Sequence, residues 1–305
     1  PDMRGTEIPE GRITLESVFK GVHTLKEMVG EMEDNFLIDL ISGRPADGVS
    51  NTCGIGDVPA YGVPAAMTVD GPAGLRLDDG TGIYTTAWPS ATLLASTWDV
   101  ELLERVAACG AAEVKENNLA MWLTPALNIH CSPLCGRNFE YYSEDPLLSG
   151  KAATATVRGI QSLRISACVK HFCCNNKETN RYFSDSRVSE RALREIYLKG
   201  FETVVKESNP WAVMSGYNLV NGCYASESRD LLSGILREEW GFDGLVLTDW
   251  GNKAEHYREL LAGNDVRMSN GSGKRLLKAL SAGLITRTDL ERSAERTLEF
   301  ILKLD

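Results

Sequence analysis

The sequence predicts an α/β fold built on one parallel sheet, most economically a (β/α)8 TIM-like barrel, and three observations carry that prediction. Short apolar runs alternate with amphipathic stretches from about residue 24 to residue 304. The runs are uniformly apolar, as strands covered on both faces are, whereas a half-solvated antiparallel strand would alternate. Five of the six runs end in polar, reactive side chains: Asp70, Thr124, Lys170 with His171, Ser215 with Tyr217, and Asp249. An open doubly wound sheet gathers chemistry at one switch point, while a closed ring brings every strand end to one mouth.

Taken in order, residues 24–42 carry apolar positions at three-and-four spacing and read as helical. Segment 43–64, rich in Gly, Pro and Asp, reads as a long loop. AAMTV at 65–69 is the first strand, and 77–92 a second long loop that reaches over the mouth. Helix 99–117, strand 119–124, helix 146–163, strand 164–170 and helix 188–207 follow. After them come strand 211–215, helix 226–240, strand 244–248, helix 253–262, a sixth run at 264–268 and helical sequence over 273–303. Six strands are visible where a full barrel has eight, so the barrel is incomplete as read. Residues 1–22 form an N-terminal extension or interdomain linker, and 23–305 one catalytic-size barrel; a barrel needs about 250 residues.

Composition removes several function classes. With 32 Lys+Arg against 42 Asp+Glu, net charge −10 and no basic run, the chain lacks the electrostatic footprint of a nucleic-acid binder. No stretch reaches the roughly 18 apolar residues of a membrane span, and the N-terminus lacks a signal-peptide pattern. A cytoplasmic protein with no membrane partner is expected, and a homo-oligomer is compatible with the sequence. Eight cysteines without a CxxC pair predict reduced, mostly buried thiols. Two clusters, His130 with Cys131 and Cys135, and Cys168 with His171, Cys173 and Cys174, lack the paired spacing of structural zinc, so no metal and no cofactor are expected.

Four motifs carry the candidate chemistry. GFDGLVLTDWG at 241–251 delivers Asp249 and Trp250 at the exit of a buried strand, where an ionised carboxylate is costly without partners; capping the helix near 253 is the plainer role. VDGPAGLR at 69–76 turns sharply after Asp70, which could simply cap the turn. NIHCSPLCGRNFEYYSEDP at 128–146 places Arg137 and Glu140 on one loop, where Arg137 either clamps a hydroxyl or a carboxylate with its planar fork or pairs with Glu140 to hold the loop. In VKHFCCNNKETNR at 169–181, adjacent Lys170 and His171 diverge along an ideal strand and reach one ligand only where the backbone turns.

Together with VSERALREIYLKGFE and MSGYN, these motifs resemble, in order, the barrel domain of glycoside hydrolase family 3, the retaining β-glucosidases and their relatives. The resemblance implies that Asp249 is the nucleophile of the family's (S/T)DW motif and Trp250 a wall of the scissile-sugar subsite. It implies that Asp70 binds the outer hydroxyls, O4 and O6, which favours glucose over xylose. Arg137, Lys170, His171 and Tyr217 would complete the sugar contacts, with Met214 packed beside them. Such a reaction also needs a general acid. In most of the family that is a Glu on a second α/β sandwich domain, which this sequence lacks, and the reversed domain order of some relatives suits a partner segment ahead of Pro1. The N-acetylglucosaminidase branch carries its acid on a loop like KHFPGHG followed by D-x-H; KHFCCNNKETNRYFSDS has neither feature. The expected function is therefore an exo-acting β-glucosidase on terminal β-D-glucosyl residues, with its acid supplied by another domain or chain. Two alternatives stay open: a Schiff-base lyase or aldolase using Lys170, and a barrel that binds sugar without turnover.

Overall fold

The computed structural model describes residues 8–9, 11–269, 271 and 273–304. Among them a six-stranded sheet forms the centre: β1 (Gly54–Val58), β2 (Val63–Val69), β3 (Met121–Trp122), β4 (Ser166–Phe172), β5 (Ala212–Ser215) and β6 (Leu245–Thr248). The strands lie side by side in chain order, β1 antiparallel to β2 and all later pairs parallel. Single bridges continue from Leu247 to Val266, from Arg267 to Ser42 and from Arg44 to Gly54, so the succession of neighbours returns to β1.

The α/β alternation is therefore present, with two departures from the expected pattern. Segment 43–64 is not one long loop: it holds β1 and a tight Pro59–Tyr61 turn into β2. GIGDV escapes sequence recognition because Gly and Asp are depleted in strands. The run at 264–268 contributes bridges only, since Asp265 turns its carboxylate back onto the Val246 backbone (2.9 Å) and onto Arg237 (2.6 Å) and Arg296 (3.1 Å). A smaller three-stranded sheet, made of Asp185–Ser186, Leu219–Val220 and Cys223–Tyr224, sits beside the main one.

Most helices begin where a side chain satisfies their orphan N–H groups. Asp99 caps Val100–Glu116, Asp145 with Pro146 starts Pro146–Gln161, and a Thr286–Asp289 capping box starts Arg287–Lys303. The helical sequence at 24–42 is split into Leu25–Glu31 and Asp34–Leu40. Residues 1–7 and 10 of the expected N-terminal extension, and 270, 272 and 305 of the expected barrel, lie outside the described residues; within 11–22 the helix Leu15–Phe19 anchors Leu15, and Ile13 just ahead of it is also buried.

Strand alternation sorts the core into two layers. Val69, Trp122, Ala167, Val169, Val213 and Val246 pack outward against the helices between 100 and 240. Ala66, Met121, Leu123, Cys168, Met214, Leu245 and Leu247 pack on the opposite side with helices 25–40 and 273–303. Lys170 continues the parity of Cys168, Asp249 that of Leu247, and Asp70 that of Ala66, so strand geometry alone aims these three polar groups to one side. Only three of the eight cysteines are buried, Cys168, Cys173 and Cys174, while Cys109 and Cys131 are exposed, which corrects the expectation of mostly buried thiols. No described helix is long and apolar enough to cross a membrane.

Candidate active site

At the C-terminal ends of the parallel strands lies a cavity of about 310 Å³, lined by Asp70, Arg137, Lys170, His171, Met214, Asp249 and Trp250 together with Asn51, Thr52, Arg76 and Leu123. Seven of the eight side chains singled out from sequence thus meet around one space. The eighth, Tyr217, stands behind it and accepts a hydrogen bond from Arg137 Nη1 (2.8 Å).

The first corner is built on Asp70. Gly71 has φ +109, and a Cβ there would collide with the Gly74 carbonyl, so the DGPAG turn requires glycine to fold back on itself. That turn brings Arg76 against the Asp70 carboxylate from one side, while Lys170 Nζ donates to Asp70 Oδ1 from the other (2.8 Å). Burial alone would raise the Asp70 pKa, but the charge and hydrogen bond of Lys170 and the charge of Arg76 outweigh it and hold the group well below the usual carboxylate range. Burial likewise works against the Lys170 ammonium, and Asp70 and Glu140 outweigh it, keeping the lysine pKa above its ordinary value.

Arg137 forms the second corner. It pairs with buried Glu140, as the loop-holding role requires, while its Nη1 and Nη2 reach Tyr217 and His171. Arg137 Nη2 lies 2.9 Å from His171 Nε2. A guanidinium cannot accept a hydrogen bond, so Nε2 is the acceptor and the imidazole proton sits on Nδ1. From there it reaches the Tyr141 hydroxyl (3.2 Å), which donates onward to the Asn175 carbonyl (3.1 Å). Burial first, then the charges of Arg137 and Lys170, push the His171 pKa well below its usual value, so the ring is neutral. His171 breaks the strand alternation yet lines the same cavity as Lys170. The β4–β5 register shifts between Val169 and Phe172, and Asn128 clamps the His171 backbone on both its N–H and its carbonyl (2.9 Å each).

Asp249 is the third corner. The Trp250 backbone N–H donates to its Oδ1 (2.7 Å), while Oδ2 is buried without a hydrogen-bond partner among the described residues, 3.7 Å from His171 Nε2. It caps no helix, because the next one, His256–Ala262, begins after Glu255. Burial raises the Asp249 pKa to about 6, and Arg137 and Lys170 offset only part of that. The constellation offers a poised carboxylate, a hydrogen-bonding cluster for hydroxyls and an indole wall. Among the described residues no three His, Cys, Asp or Glu side chains form a metal-sized group.

Sequence reasoning did not single out Tyr141 or Asn51, and it left Glu140 as a loop residue. Glu140 is the most informative of the three, since the acid between Arg137 and Lys170 (3.9 Å from Nζ) is 4% exposed. Its place in GRNFE, three residues after Arg137, was the available signal.

The comparisons with known proteins decide the family. Residues 57–300 match the model of the glycosyl hydrolase family 3 N terminal domain. The chain belongs to this family. It is 55% identical over 269 residues to a Butyrivibrio fibrisolvens protein named beta-glucosidase A, covering 88% of this chain and 32% of that protein. A Bifidobacterium longum exo-alpha-(1->6)-L-arabinopyranosidase is 40% identical over 258 residues, 81% of this chain and 34% of the relative. Among solved structures, beta-glucosidase 3B from Thermotoga neapolitana in complex with alpha-D-glucose superimposes with a TM-score of 0.88 at 41% identity, covering 92% of this chain and 43% of that one. The chain therefore spans about a third of the length of the curated relatives it matches.

Proposed function

We propose that this family 3 domain is the sugar-binding barrel of a retaining β-glucosidase, closed in a (β/α)8-like ring by the bridges at 42–44 and 266–267, and that Asp249 is its nucleophile. The observation that carries this reading is the buried Oδ2 of Asp249, without a hydrogen-bond partner among the described residues, at a cavity whose other corners are the ion-paired Asp70 and the cation Arg137. Asp70 and Lys170 hold the outer hydroxyls of a terminal glucosyl unit; Arg137 and Tyr217, with neutral His171, hold the remaining ones; Trp250 supplies a flat apolar face. Asp249 Oδ2 attacks the anomeric carbon as the bond to the leaving oxygen breaks, giving a glycosyl ester that water then hydrolyses. A carboxylate with pKa near 6 is ionised at neutral pH yet poorly solvated, which leaves its lone pair available.

The proton for the leaving oxygen comes from an acid elsewhere. The buried carboxylates around the cavity are committed: Asp70 to Lys170 and Arg76, Glu140 to Arg137 and Lys170. The threefold greater length of the relatives supports a Glu contributed by a second domain or chain. The aldolase alternative finds no support, because a Schiff-base lysine must be a free amine and Lys170 is paired and charged.

The decisive experiment bypasses the missing acid. A 2,4-dinitrophenyl 2-deoxy-2-fluoro-β-glucoside has a leaving group that departs without protonation, so the chain by itself should acquire one fluoroglucosyl group. Peptide mapping should place it on Asp249; a label on any other carboxylate, or none after prolonged incubation, overturns the assignment.

A further inference from the structure

Beyond the cavity wall, the turn that carries Asp249 and Trp250 meets a second aromatic cluster. Gly251 has φ +74, and a Cβ there would lie 3.3 Å from the Tyr182 hydroxyl and 3.5 Å from its ring, so Tyr182 packs directly on the backbone following Trp250. Tyr182 also meets Tyr217, with ring centroids 4.9 Å apart, and the Arg181 guanidinium sits 5.0 Å from the Tyr182 ring and 5.3 Å from that of Tyr217. Tyr182 is thereby fixed by the same turn that fixes the candidate nucleophile. Tyr182 is not part of the cavity lining, but it adjoins that lining through Gly251, the residue after Trp250.

Lys253 completes the cluster. Its ammonium stands 5.1 Å from the Tyr182 ring centroid, the residue is exposed, and no carboxylate pairs with it among the described residues. Arg181, by contrast, is already paired with Glu178 at 3.2 Å. An exposed lysine held over an aromatic face keeps its charge free for a ligand while the ring organises its position.

We propose that Tyr182 and Lys253 form the outer wall that receives the leaving group, and that this wall favours aryl glucosides whose ring bears a carboxylate or another anionic substituent. The proposal rests on the glucosidase reading, since it needs the sugar in the cavity. The aryl ring lies against Tyr182, and its anionic substituent reaches the Lys253 ammonium.

The test uses non-hydrolysable probes on the chain as it stands. Dissociation constants of glucose, phenyl β-D-thioglucoside and 4-carboxyphenyl β-D-thioglucoside are measured by calorimetry for the unmodified protein, Lys253→Gln and Tyr182→Leu. The carboxyphenyl compound should bind about threefold more tightly than the phenyl one, the size expected of an exposed charge pair. Lys253→Gln should bring that ratio to one, and Tyr182→Leu should weaken both aryl compounds about threefold relative to glucose. An unmodified ratio of one, or a ratio that survives Lys253→Gln while glucose still binds, overturns the proposal and leaves the glucosidase reading intact. Glucose and both thioglucosides all failing to bind the unmodified chain would remove both.

Discussion

Asp70 and Asp249 make a controlled comparison within one cavity. Both follow a parallel strand, both keep the inward parity of their strand, and both line the same space, yet they titrate in opposite directions. The Asp70 carboxylate is saturated: Lys170 on one oxygen, Arg76 on the other. Asp249 has one backbone N–H on one oxygen and nothing on the other, with its cations too far to hydrogen-bond. Desolvation wins where partners are few and loses where two cations touch. A satisfied carboxylate is suited to holding hydroxyls in place, and an unsatisfied one to forming a bond.

The comparison can be broken most directly by exchanging each carboxylate for its amide. Asp249→Asn should abolish turnover of an activated aryl glucoside by roughly 10⁴-fold or more while glucose affinity stays within a fewfold, because the bond-forming oxygen is lost and the pocket is not. Asp70→Asn should do the reverse, weakening glucose binding by about 10- to 100-fold through the loss of charge-assisted hydrogen bonds. If both substitutions cost affinity alike and neither costs turnover more, the two carboxylates do the same job and the distinction fails.

Stability should separate them next. Asp249 has a folded pKa of about 6 against an ordinary 3.8, so the folded protein holds an extra proton in that interval and loses stability as pH rises through it. Asp249→Asn should therefore raise the unfolding free energy measured by urea titration at pH 7 by about 1–3 kcal/mol, and change it little near pH 4. Asp70 has a depressed folded pKa, so its contribution is complete above the ordinary carboxylate range and is lost as pH falls below it. Asp70→Asn should thus lower the unfolding free energy at pH 7 by about 2–4 kcal/mol, since Lys170 is left buried beside an uncharged amide. Equal shifts of the two variants across pH 4–7 would show that partners do not set the difference.

The smallest effect lies behind the cavity. Tyr141→Phe removes the acceptor for the His171 Nδ1 proton and should cost about 1 kcal/mol of stability. A lower kcat/KM with the same acid limb would place His171 as a positioning group; a shifted acid limb would mean that His171 helps set the Asp249 pKa.

The strands could be read from the sequence at 65–69, 164–170, 211–215 and 244–248, and they stand in the structure at Val63–Val69, Ser166–Phe172, Ala212–Ser215 and Leu245–Thr248, because uniformly apolar runs are a local signal. So could the identities of Asp70, Lys170, Asp249 and their neighbours, which sit at the ends of those runs or in motifs. The hairpin through Gly54–Val58 could not, because its residues are poor strand formers and its stability comes from pairing with Val63–Val69. Nor could the part played by Glu140, whose importance depends on Lys170 approaching from another strand.

By itself the sequence determined where the buried strands run and which polar residues stand at their ends, because uniformly apolar runs are a local signal. It also determined the family, through motifs whose order survives in the chain. Only the tertiary structure decided the charge state of each group. The desolvation and Coulomb terms that raise Asp249 and lower Asp70 depend on distances between residues as far apart as Asp70 and Lys170, and those distances exist only once the strands stand side by side.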